Sequence, residues 1–186
     1  MADSILNIKF KDVSFRVSPL YIYDEKHLLK KEQTDSAVIF IEYGEEIESK
    51  RIYITSNALT NFRIEQRYQT SVTIMDEGPH CDLTDWKHFY SDWKTIAVND
   101  QGSFIADSYS EKENEQFPQT DINEFKEAVK KHCGDGWYKY IKDVKSLNNY
   151  PIGVGINRII FKVTATRKDD GSEVSKILIF ENALGC

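Results

Sequence analysis

The spacing of apolar residues changes period along the chain, and those changes outline its elements. Leu6, Ile8 and Phe10 alternate with polar neighbours, and Val13, Phe15 and Val17 alternate in the opposite phase. Alternation of this kind predicts half-buried strands. The slip at Lys11-Asp12 predicts a bulge or a tight turn, because a one-residue shift carries every side chain to the other face. Ala37 to Tyr43 predicts a compact apolar strand, Gly44-Glu45-Glu46 a turn, and Arg51 to Thr55 a returning strand. From 62 to 75, Phe62, Ile64, Tyr68, Val72 and Ile74 lie on one parity. Arg63, Glu65, Arg67, Gln69, Ser71 and Thr73 lie on the other. That predicts a long strand with one buried and one wet face, twisting or bending near Gln66 and Thr70.

Beyond Gly78-Pro79 the period lengthens. Leu83, Trp86, Tyr90, Trp93 and Ala97 recur every three or four residues, with Phe89 and Ile96 beside them. The spacing predicts an amphipathic helix with a heavy aromatic face, capped by Asp82 or Thr84 and stopped by Asn99-Asp100-Gln101-Gly102. Its aromatic stripe reads first as core and second as a partner anchor. Ser103 to Tyr109 suggests a short strand, and the polar run Ser110 to Gln119 a surface loop. A second helix follows, capped by Thr120 or Asp121, with Ile122, Phe125, Val129 and Cys133 inward, broken at Gly134-Asp135-Gly136. Trp137, Tyr140, Ile141, Val144 and Leu147 predict a short third helix, closed at Asn148 to Pro151. Ile159, Phe161, Val163 and Ala165 climb one arm of a hairpin. It turns at Asp169-Asp170-Gly171-Ser172 and returns along Val174 to Phe180.

Strands, then helices, then strands, without regular alternation, predict one α+β domain over 1–186: a mainly antiparallel sheet packed against about three helices. Its terminal hairpin is expected to join the sheet built by the first half. Neither internal repeats nor low-complexity segments interrupt the chain.

Charge narrows the function. The net charge is -6, and no basic stripe is present to neutralise phosphates, so nucleic-acid and membrane-surface binding are disfavoured. The longest apolar run, Ala37 to Ile41, is far shorter than the ~20 residues of a membrane-spanning helix. Asp107, Glu111, Glu113, Glu115, Asp121, Glu124 and Glu127 face only Lys112 and Lys126, so residues 107–127 carry -5 of that charge. Such a segment is either a solvated loop or a surface that attracts a basic partner. Three cysteines, Cys81, Cys133 and Cys186, are an odd set and suggest a reducing compartment rather than a disulfide framework. The N-terminus lacks the basic and apolar regions of a signal peptide, so the cytoplasm is the expected location.

Candidate chemistry gathers in MDEGPHCDLTDW, residues 75–86. Asp76, Glu77, His80, Cys81, Asp82, Asp85 and His88 are all residue types that ligate metal, yet their spacing matches no zinc-binding pattern. On a helix, Asp85, His88 and Asp92 would share a face, as a catalytic dyad or a surface ion-pair lattice. Negative neighbours oppose a Cys81 thiolate. Gly153-Val154-Gly155 lacks both the third glycine and the following helix of a nucleotide fingerprint. No Walker loop or serine elbow is present. The sequence thus calls for no catalytic residue, metal or cofactor.

The block DEGPHCDLTDWKH, in a small acidic α+β chain, resembles immunity proteins that bacteria make against secreted polymorphic toxins. The resemblance implies a stoichiometric inhibitor that blocks its cognate toxin's active site, with acidic side chains standing in for substrate phosphates where the toxin is a nuclease. The expected partner-binding residues are Asp76, Glu77, His80, Asp82, Asp85, Asp107, Glu111, Glu113 and Glu115. Two other classes compete: a metal-assisted hydrolase built on the His80–His88 cluster, and a structural or adaptor domain.

Overall fold

A computed structural model describes residues 5–17, 20, 34–42, 44–75 and 79–182. The chain is strand-rich, 46% strand and 14% helix, and is α+β in that coarse sense. Contacts group it into two compact units. The first comprises Met1–Arg67, Asp92–Ser108 and Arg158–Asn182, and the second Tyr68–Ser91, Tyr109–Asn157 and Ala183–Cys186.

In the first unit, β1 (Leu6–Lys9) and β2 (Ser14–Val17) pair antiparallel with Leu6 opposite Val17. The phase slip is therefore a tight turn, closed by Phe10 N–H donating to Val13 O at 2.9 Å. β2 pairs with β4 (Arg51–Thr55), and β4 with β9 (Ser103–Ile105), completing a four-stranded antiparallel sheet. A second sheet orders β3 (Ser36–Phe40), β11 (Glu173–Glu181), β10 (Ile152–Arg167) and β5 (Leu59–Met75). β10 and β11 are the predicted hairpin, and β11 joins β3 in parallel, so the hairpin does enter the sheet begun by the first half. Phe104 of β9 packs 5.4 Å from Phe161 of β10, which meets Phe180 at 5.8 Å, so large apolar rings join the two sheets.

The predicted helix over 83–97 does not form. The chain returns from β5 as β6 (His80–Asp82), β7 (Phe89–Tyr90) and β8 (Lys94–Ile96), each antiparallel to β5. Between the pairs Thr73↔Asp82 and Thr70↔Phe89, three steps of β5 face seven of the returning chain. Between Gln69↔Tyr90 and Gln66↔Lys94, three face four. Those extra residues are a turn and a bulge, and they shift the strand's side-chain phase enough to imitate a helical period. A helix could not supply the ladder bonds that one edge of a 17-residue strand requires, whereas Trp, Tyr, Phe, Thr and Ile sit well in strands.

The wet face predicted for β5 also fails over its second half. Gln69, Ser71 and Thr73 are buried, and two of them have internal partners. Gln69 Nε2 donates to Asn157 Oδ1 at 3.2 Å, and Ser71 Oγ shares a 2.9 Å hydrogen bond with His88 Nδ1.

Three helices lie among the described residues, all in the second unit: α1 (Glu111–Asn114), α2 (Ile122–His132) and α3 (Asp135–Ile141). α1 occupies the expected surface loop. Ser110-Glu111-Lys112-Glu113 has the spacing of a capping box, and the box forms, with Ser110 N–H and Oγ–H donating to Glu113 Oε2 at 2.7 and 2.6 Å. α3 begins at Asp135, before the predicted start, and ends at Ile141, short of Val144 and Leu147. The unit's core is Val72, Ile74, Leu83, Phe125, Val129, Ile141 and Ile152. Gly153 belongs to β10, where a Cβ would stand 3.0 Å from Met75 Cε. The G-x-G fragment is strand, not a phosphate loop.

Candidate functional site

The second unit brings the 80–88 segment against α2. The β5–β6 register carries one residue past β6, Leu83 N–H donating to Val72 O at 2.9 Å, and the Leu83 side chain is buried. Trp86 follows on the turn and is half-buried, with ring centroids 6.1 Å from Phe117 and 5.8 Å from Phe125. Neighbouring rings thus fix the indole's orientation.

α2 starts where Asp121 caps it, Oδ1 accepting from Asn123 N–H at 2.8 Å and Glu124 N–H at 3.3 Å. Phe125, Ala128 and Val129 are buried, which leaves Glu124, Glu127 and Lys131 outward. At its far end Cys133, the C-cap, is disulfide-bonded to Cys81 of β6, with Cα atoms 6.2 Å apart across 52 residues of chain. The expectation of unpaired cysteines is thereby corrected, because only the fold brings two distant thiols within bonding reach. Cys186 lies outside the described residues.

Between these walls is an open hollow of about 300 Å³, lined by Trp86, Glu124, Glu127, Ala128, Lys131 and His132. Lys87 Nζ lies on its rim, 2.7 Å from Glu124 Oε2 and 5.6 Å from the Trp86 ring centroid. Glu127, one helical step along, is exposed and has no ion pair among the described residues. The same holds for Glu111 on α1 and for Glu115, its C-cap. The lining thus sets an aromatic ring beside two carboxylates, with Lys131 and His132 completing it.

The residues expected to bind a partner fare differently. Asp76 and Glu77 lie outside the described residues. His80 Nδ1 and Asp82 Oδ1 are 3.1 Å apart on β6, and Asp85 is exposed on the turn. Glu111 and Glu115 are exposed, but Glu113 is engaged in the capping box. Burial, and then the Glu113 carboxylate, push the Tyr68 phenol above its ordinary pKa, and its hydroxyl donates to Gln116 Oε1 at 3.1 Å. Asp107 belongs to the first unit. It pairs with Lys94, and its backbone is held by the Gln66 amide through two 2.9 Å bonds.

The metal cluster does not assemble among the described residues, where no group of three His, Cys, Asp or Glu side chains is placed to share an ion. Cys81 is in the bridge, His80 faces Asp82, and His88 meets Ser71. Ser71 is completely buried, and His88 is half-buried. Without a helix, Asp85, His88 and Asp92 share no helical face. The expected aromatic stripe also separates. Trp86 lines the hollow, Tyr90 is exposed, and Trp93 in the first unit lies beneath Arg67, whose Cζ is 4.4 Å from the ring centroid.

The sequence offered Trp86 as a partner anchor and Glu124 and Glu127 within the acidic run, but not that the three line one hollow. The available signal was the outward i, i+3 pair Glu124 and Glu127 inside the acidic run, next to an aromatic on the facing segment. No helix among the described residues is long and apolar enough to cross a membrane. Compared with protein-family models, curated proteins and solved structures, the chain matches none of them.

Proposed function

We propose that this chain is a non-enzymatic protein-binding module that meets a basic partner through the acidic face of its helical unit. In line with the resemblance of its DEGPHCDLTDWKH block, we take the partner to be a bacterial toxin that the chain binds and blocks, as an immunity protein does. The observation that carries the proposal is the set of exposed carboxylates on α1 and α2. Glu111, Glu115 and Glu127 have no cationic neighbour within ion-pair distance among the described residues. Exposed charge left unneutralised speeds encounter with an oppositely charged surface and disfavours wrong partners.

The test uses the product of the gene immediately upstream. A toxin there should be inhibited stoichiometrically, and reversing Glu111, Glu115 and Glu127 to lysine should slow association and flatten its salt dependence. Glu113 is excluded because its reversal would break the α1 cap. Unchanged association kinetics in the triple reversal, or no inhibition by the wild-type chain, would refute the proposal.

A cytoplasmic site of action and the Cys81–Cys133 bridge make opposite demands. Glutathione-buffered cytosol favours thiols, and an oxidising compartment preserves a bridge. Thiol trapping in intact cells distinguishes them: alkylated Cys81 and Cys133 mean the cytosol, and protected ones a secreted or periplasmic pool.

A further inference from the structure

We propose that the Trp86 hollow seats one arginine side chain of the partner, with the guanidinium on the indole face and paired to Glu124 and Glu127. The inference rests on the protein-binding function above and specifies the partner's chemistry. Three observations converge on it. The chain's own Lys87 ammonium already occupies the rim, bound to Glu124 and within cation–π range of the ring, which marks where positive charge is favoured. Glu127, in the same lining, is left with its charge unmatched among the described residues. The walls are also held before any ligand arrives. Phe117 and Phe125 fix the indole, and the Cys81–Cys133 bridge ties β6 to the end of α2, so little ordering cost remains for the binding step.

Arginine fits better than lysine. A planar guanidinium stacks on an aromatic face while its forked N–H groups reach two carboxylates, whereas an ammonium is a compact, strongly hydrated charge. Lys131 sets the polarity of the hollow: its ammonium disfavours a second cation beside it and leaves the Glu124 and Glu127 carboxylates for the guanidinium. The hollow is small and open, which suits one long side chain rather than a cofactor.

The test is a two-dimensional NMR titration of the full oxidised chain with N-acetyl-arginine methylamide, using the lysine analogue for comparison. The Trp86 indole signal and the 124–128 amides should shift saturably, and more with arginine than with lysine. Glu127→Gln and Trp86→Leu should each weaken binding roughly three-fold. Lys87→Ala should strengthen it, because the internal competitor for Glu124 is gone. Glu127 is exposed, so its variant remains informative if Trp86→Leu fails to fold.

Affinity unaltered by Glu127→Gln, weaker binding in Lys87→Ala, or shifts spread evenly over Glu111, Glu115 and the hollow would each overturn the proposal. An oligo-arginine peptide separates this failure from failure of the acidic-face function. If the peptide binds and is weakened only by Glu111→Lys and Glu115→Lys, the anchor is wrong and the acidic face survives. If it does not bind at physiological salt, both fall.

Discussion

Removing the Cys81–Cys133 bridge tests how the helical unit is held together. The bridge closes a loop of 52 residues that contains β7 and β8, β9, α1 and α2, so its main effect is on the unfolded chain. Loop-closure entropy for that length is worth about 4 kcal/mol at 25 °C. Both cysteines are half-buried, so a serine pair disturbs packing little beyond opening the loop. For a chain of 186 residues the loss corresponds to a fall in Tm of roughly 10 °C. The assay is urea unfolding of the oxidised protein, the same protein in a phosphine reductant, and Cys81→Ser/Cys133→Ser. Cys186→Ser is included throughout to keep the third thiol from exchanging. The reduced protein and the double variant should coincide, both below the oxidised form. Trp86 and Trp137 report on the second unit and Trp93 on the first, so selective Trp→Phe variants show where the loss falls. A difference below about 1 kcal/mol, or free Cys81 and Cys133 in the unreduced protein, would refute the reasoning.

Three further outcomes follow from the same structure. Phe125→Ala removes a fully buried ring from the centre of the helical unit and should cost roughly 3–5 kcal/mol in chemical denaturation. Asp121→Ala deletes the acceptor for two N–H groups at the start of α2 and should cost about 1 kcal/mol, with amide exchange rising first at Asn123 and Glu124. At the hairpin turn, Ser172 Oγ–H and N–H donate to Asp170 Oδ1 at 2.6 and 2.8 Å, chiefly the side-chain bond lowering the Asp170 pKa. Its stabilisation is therefore present above the ordinary aspartate pKa and is lost as pH falls through the lowered value. A carboxyl NMR titration should show this depression shrinking in Ser172→Ala.

Legibility followed the locality of the interactions. β1 and β2, β4, the first half of β5 and the closing hairpin were visible because alternation reports one buried face, and the Asp-Gly turn lies between the hairpin arms. α2 was visible because its cap, its inward stripe and its stop at Gly134 all lie within one short segment. α1 was missed although Ser110 to Glu113 carries the capping-box spacing, since a four-residue helix with no buried residue leaves no apolar stripe. Of the expected partner-binding residues, Glu113 differs because its carboxylate answers a local backbone demand, which a count of charges does not register.

By itself, the sequence determined the alternating strands, the capped helix, the hairpin and the acidic bias, because each depends on residues a few positions apart. Tertiary structure alone decided that residues 80–96 pair with β5 instead of coiling. The sequence there satisfies a helical period, but a long strand edge needs backbone partners. It also decided that Cys81 meets Cys133, and that Trp86 stands beside Glu124 and Glu127. Contacts between residues dozens of positions apart are set by the folded path, and no local spacing encodes them.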